Sequence, residues 1–230
     1  MKTLREKIEI MEAFERGNKI QACFILNDTK YWEDTENPVW DWHFYDYRVK
    51  PGKKMTQREF NLIKKRLADW RNERHLTYEN QQAGFLGNAF EEISEYFRAK
   101  NDLEKIDALC DIVIFCFNSF DLEFKEMGKI YDCDETKISI VDITDDLTYT
   151  TAKFMRKDFK DFNNTYRLVF NCEHLCKNLG FDFYKCMLQT IKEIESRTGY
   201  YDENLKKFIK DTSDEAKAKW YKADYESCRL

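Results

Sequence analysis

Glycine and proline are scarce in this chain, seven and two among 230 residues. All-β sandwiches and barrels need such residues at their many turns, so the shortage favours helix, in one domain of ordinary size or one with a small appendage. No apolar stretch approaches the roughly 20 residues of a spanning helix. The opening Met-Lys-Thr-Leu-Arg-Glu-Lys carries no apolar signal core. Neither sign of charge dominates: 38 Lys and Arg against 43 Asp and Glu leave a net charge of −5. That balance gives no general attraction to nucleic acid or to an anionic membrane, and a phosphorylated ligand would need a local cation. The patterns GxxxxGK[ST] and GxGxxG are missing, which removes the P-loop and dinucleotide-fold routes to nucleotides.

Eight cysteines are present, but the chain is far longer than the small secreted disulfide scaffolds. The expectation is a reduced, cytoplasmic protein. Cys172-Glu-His-Leu-Cys176 lacks a second ligand pair at zinc spacing, and on a helix His174 faces away from the two thiols. His43 and His75 have no Ser or Cys arranged with them as a triad.

Residues 4–16 are amphipathic and end at Gly17-Asn18, a helix stop. Ile20–Leu26 and Val39–Val49 are rich in aromatic and β-branched residues and are predicted strands, closed by Pro51-Gly52. Trp32, Trp40, Trp42 and Tyr47 are expected to supply most of the core of this α+β module, residues 1–54. From 55 to 230 the pattern is mainly helical. Phe60, Ile63, Leu67 and Trp70 mark one buried stripe over 56–73, and helices follow over 83–99 and about 103–120. Residues 121–147 resemble an insertion, with Lys137–Ile143 as a predicted strand. Helix returns over about 148–178 and 182–197, with stops at Gly180 and Gly199. Trp220, Tyr221 and Tyr225 are expected packing anchors for a charged tail.

Two acidic pairs carry the chemistry. Glu92 and Glu95 share one helical face, and so do Asp107 and Asp111 on the next helix. A tight turn at 100–102 would set these helices antiparallel and the pairs face to face. Asp111 opens the most apolar run of the chain, Asp111-Ile-Val-Ile-Phe-Cys-Phe-Asn118, and a carboxylate entering such a run is costly without a compensating cation or hydrogen bonds. Four hard oxygen donors in one interhelical groove suit Mg²⁺ or Mn²⁺. Asn118, an amide after six apolar residues, needs a partner, and a sugar hydroxyl or base edge would serve.

Phe90-Glu-Glu-Ile-Ser-Glu-Tyr-Phe97 followed by Asp107-Ala-Leu-Cys-Asp111 and the run to Asn118 resembles the all-α nucleoside triphosphate pyrophosphohydrolases. That superfamily includes MazG, the dimeric dUTPases and phosphoribosyl-ATP pyrophosphohydrolase. The match covers residues 56–120 and, more loosely, 165–199. Residues 1–52 resemble a small module of phage-encoded proteins. The first resemblance implies a mainly α, four-helix-bundle-type domain, working as a homodimer or homotetramer on a nucleoside or deoxynucleoside triphosphate. Glu92, Glu95, Asp107 and Asp111 would hold Mg²⁺, and Glu92 or Glu91 would take a proton from the attacking water. Asn118 would meet the nucleoside, and Lys105, Arg197, Lys206 and Lys210 would meet phosphate. The chain departs from the family at one position: where MazG-type members place a Glu three residues before the final Asp, Ala108 stands, and Asp107 would replace it. Glu104 and Asp107 form an alternative register that loses the apolar run and Asn118. The missing Glu favours a rival reading, a helical interaction protein that keeps the fold without the chemistry.

Overall fold

The amphipathic N-terminal stretch and the alternating Ile20-Gln-Ala-Cys-Phe24 fold together. Helix α1 (Leu4–Glu15) packs on an antiparallel sheet of order β2-β1-β3, formed by β1 (Ile20–Leu26), β2 (Thr29–Thr35) and β3 (Asp46–Val49). This is a computed structural model, and it describes residues 2–15, 19–26, 29–50, 54–125, 135–155, 163–205 and 207–230. Ile10, Ile20 and Tyr47 are buried at the centre of this unit, with Phe14, Ala22, Trp40 and Trp42 against them. Trp32 is not among them. It lies on the other side of the pleat, where the Arg48 guanidinium stacks 4.1 Å from its ring centre.

Two expectations fail in this unit. Strand β2 is an addition, and of the predicted strand Val39–Val49 only the last four residues are extended. Trp40 is the reason: its φ of 53° turns the chain away from a strand, and the Asp41 carboxylate then accepts the N–H groups of His43 and Phe44. The turn expected at Pro51-Gly52 lies outside the described residues.

The rest is mainly helical. Thr56 and Thr77 form capping boxes with Glu59 and Asn80, and so open α2 (Gln57–Glu73) and α3 (Tyr78–Arg98). Asn101 caps α4 (Asp102–Ser119). Then come α5 (Ile140–Met155), α6 (Asn163–Asn178) and α7 (Phe183–Ser196), a hairpin of β4 (Gly199–Asp202) and β5 (Lys207–Lys210), and the short α8 (Asp214–Lys217). Helix α4 is apolar on nearly every side and is the centre of the bundle, packed by α2, α3, α6 and α7. One continuous core joins them.

The strand predicted at Lys137–Ile143 is instead a 3₁₀ turn at Glu135–Lys137 and the first turn of α5. Ile143 and Leu147 are buried four residues apart, a helical period. The Ser139 N–H and hydroxyl also both donate to the Asp142 carboxylate, as at a helix start. Gly180 ends α6 with φ of 90°, and the N–H groups of Gly180 and Phe181 close on the carbonyls of Lys177 and Cys176. No described helix is long and apolar enough to cross a membrane. The seven described cysteines are unpaired and buried.

Candidate functional site

The turn between α3 and α4 places the two acidic pairs. Asn101 Oδ1 accepts the Glu104 N–H at 3.0 Å, and the Glu104 carboxylate accepts the Lys100 N–H at 2.7 Å, so α4 folds back along α3. The charges of Asp107 and Asp111, one turn apart on α4, then reach Glu92 on α3. Burial, then the charges of Asp111, Glu95 and Asp107, push the Glu92 carboxyl from an ordinary 4.5 up to about 8. Burial and then Asp107 push Asp111 from 3.8 up to about 7, with Arg197 and Lys210 opposing the rise. The four expected carboxylates therefore share one electrostatic neighbourhood. Neither Glu92 nor Asp111 makes a hydrogen bond or ion pair among the described residues.

Arg197 follows α7 and Lys210 ends β5, and the hairpin between them folds the second cation back toward the first. Gly199 allows this: a Cβ there would stand 2.1 Å from the Ile209 carbonyl oxygen and 2.8 Å from the Phe208 ring. Gly199 also pairs directly with Lys210 across the hairpin. Burial, then Arg197, lower the Lys210 ammonium pKa, while Asp111, Glu193 and Glu92 raise it.

Other expected residues are placed differently. Glu91 is exposed on the outer side of α3. Lys105 pairs with Asp102 at 3.0 Å at the start of α4. Lys206 lies outside the described residues. Asn118 is 2 % exposed, and its Oδ1 accepts a 2.9 Å hydrogen bond from Arg71, so its partner is inside the protein. Ala108 is 1 % exposed and faces the core, whereas Asp107 is half-buried and within electrostatic reach of Glu95, Glu193 and Arg197. His174 is buried between the two thiols' turns, with Nδ1 3.5 Å from Glu135.

Three site residues escaped the sequence reading. Glu193 sits one turn before Arg197 and holds it at 2.6 Å, an i,i+4 pair that was legible. Arg71 follows Leu67 by four residues on the apolar stripe of α2, an anomaly that signalled a buried role. It donates to Asn118 and to the Phe117 carbonyl and stacks on Tyr78 at 4.4 Å. Tyr225 donates its hydroxyl to Asp107 Oδ1 at 2.7 Å, and nothing in the local pattern indicated more than packing.

The donors are hard oxygens and their negative charge exceeds the cations that face them, since Arg197 is engaged by Glu193. This chemistry fits Mg²⁺ or Mn²⁺. Among the described residues no three His, Cys, Asp or Glu side chains stand together so as to hold a metal ion. Comparison with protein families, with curated proteins and with solved structures found no match to the chain.

Proposed function

We propose that the protein is a Mg²⁺-dependent nucleoside triphosphate pyrophosphohydrolase. What supports this reading is that the charges of Asp111, Glu95 and Asp107 all raise the Glu92 carboxyl, while Arg197 and Lys210 oppose the rise at Asp111. The resemblance of residues 90–118 to the all-α pyrophosphohydrolases supports it. Held by the four carboxylates, Mg²⁺ would neutralise phosphate oxygens and favour the ionised form of each ligand. Lys210 and Arg197 bind the phosphate oxygens that remain, a task an acidic protein must assign to particular residues. Glu92, half-buried on α3, accepts a proton from water. The water oxygen bonds to the α-phosphorus, the bond to the bridging oxygen breaks, and nucleoside monophosphate and pyrophosphate leave.

The test is direct. Incubation with the eight common NTPs and dNTPs and Mg²⁺ yields pyrophosphate and a monophosphate from at least one of them. Absence of turnover on all eight, or an Asp111→Ala variant as active as the parent, refutes the reading. One observation favours the rival, a non-catalytic helical interaction protein: the position where the family carries Glu is a core-facing alanine. Under that reading Mg²⁺ neither binds nor stabilises the protein.

A further inference from the structure

The N-terminal sheet leaves a hollow on the face that α1 covers only in part. Paired residues of neighbouring strands share a face, so Ala22 on β1 lies between Glu33 on β2 and Tyr47 on β3. Phe24, two residues further along β1, is on the same side. Ile10 of α1 and Ile20 fill one end of this face against Tyr47. At the other end the small Ala22 side chain leaves a cavity of about 280 Å³, walled by Phe24, Tyr45 and Tyr47 and rimmed by Glu33 and Val39. The Tyr47 ring is fixed in place, 4.9 Å from the ring of Trp42 and 5.2 Å from that of Trp40, and its hydroxyl accepts the Asp41 N–H at 3.3 Å. The charges of the sheet are sorted by face. On the outer face Asp34 is engaged by Lys50 and Gln21. On the inner face Glu33 meets no cation among the described residues.

We propose that this cavity is a docking site for an arginine side chain presented by an extended segment of a partner protein. Its volume is below the roughly 300–1,000 Å³ of sites that enclose a drug-sized ligand, so it suits a single side chain rather than a nucleotide. Aromatic faces attract cations, a guanidinium more often than an ammonium, and the planar guanidinium stacks on a ring while it donates two hydrogen bonds to one carboxylate. The mouth of the cavity offers both partners, in Tyr45, 42 % exposed, and in Glu33. The module already uses this chemistry within itself. The Arg48 guanidinium lies 4.1 Å from the Trp32 ring centre, and the Lys7 ammonium lies 5.3 Å from that of Trp42. Val39 on the rim and Phe44 next to Tyr45 are both exposed, an apolar border for the rest of the docked segment. A single-stranded nucleic acid would find rings to stack on, but Glu33 would repel its phosphates.

The experiment is a titration of the whole chain, followed by NMR shifts, with the peptide acetyl-Gly-Ser-Arg-Ser-Gly-amide and with the same peptide carrying Gln in place of Arg. The arginine peptide should bind, more weakly as salt rises, and the glutamine peptide should bind about tenfold less well. Tyr45→Ala and Glu33→Gln should each weaken the arginine peptide about threefold to fivefold, and Glu33→Gln should also flatten the salt dependence. Both side chains are exposed, so both variants should keep the parental melting temperature. Asp34→Asn changes the neighbouring carboxylate on the outer face and should leave the affinity as it is. No binding of the arginine peptide, equal binding of the two peptides, or parental affinity in both Tyr45→Ala and Glu33→Gln overturns the proposal. Argininamide alone binding as tightly as the peptide would make this a site for a free small cation. Displacement of the peptide by a thymidine oligonucleotide would make it a nucleic-acid surface, and either result overturns docking of a protein segment.

Discussion

Two groups of acidic side chains in the helical part of the molecule are built differently. On α5 and α6, Asp146 meets Arg167 at 3.0 Å and the Asn171 amide at 2.7 Å, while Glu173 meets Lys177 at 2.5 Å and the Met55 N–H at 2.7 Å. Each carboxylate there has a cation and a hydrogen-bond donor. Between α3 and α4, Glu92 and Asp111 have no ion pair or hydrogen bond among the described residues: Asp111 raises Glu92, and Arg197 and Lys210 only partly oppose the rise at Asp111. The difference teaches that burial of acid alone is a poor signal, and that incomplete compensation is the better one.

The sharpest way to break this comparison is to delete one acid from each side. Asp111→Ala should reduce pyrophosphate release roughly a thousandfold, the rate equivalent of about 4 kcal/mol of lost charge stabilisation, with no loss of melting temperature. Asp146→Ala should do the reverse. It costs about 2 kcal/mol in denaturant unfolding, less than for a fully buried pair because Arg167 is half exposed, and it leaves turnover within about twofold. If both variants lose activity alike, the two clusters are not different in kind.

Arg74→Lys should cost about 1–2 kcal/mol, since a single ammonium cannot keep hydrogen bonds to the Ile194, Glu195 and Arg197 carbonyls. Chemical denaturation measures it.

The smallest effect concerns pH. Glu92 at about 8 and Asp111 at about 7 hold their protons more tightly folded than unfolded, where 4.5 and 3.8 apply. Their contribution to stability is thus full below the unfolded values and is lost as pH rises through about 7 and then about 8. The melting temperature of the metal-free protein should fall across that window, and Glu92→Gln should flatten the fall. Added Mg²⁺ should restore stability at pH 8 and do little at pH 5, because the proton and the ion compete for the same oxygens. A melting temperature that rises over this window would show that the acids are compensated after all.

Much of this was legible in the chain. The helices over 57–73, 78–98, 102–119 and 183–196 followed their apolar periods and caps, which are local properties. So was the tight turn at 100–102 that packs α4 back along α3. What depended on distant partners was not legible. Whether Asn118 met a ligand or Arg71 depended on how α2 lay against α4. Tyr225 reaches Asp107 from 118 positions away, and no local pattern encodes such a contact. Lys137–Ile143 was misread because alternate isoleucines satisfy a strand period over so short a span. The buried residues 143 and 147, together with Ser139 and Asp142, decided for helix.

Arg74 carries a consequence for the electrostatics of the site. The guanidinium lies between the rings of Trp70 and Phe208 and takes the last carbonyls of α7. A helix ends in partial negative charge, and α7 ends beside an acidic groove. Left bare, that pole would add to the repulsion among the carboxylates. With Arg74 neutralising it from behind, the backbone pole adds little to the acids near α7, while Arg197, held by Glu193 one turn back, still lowers Asp111.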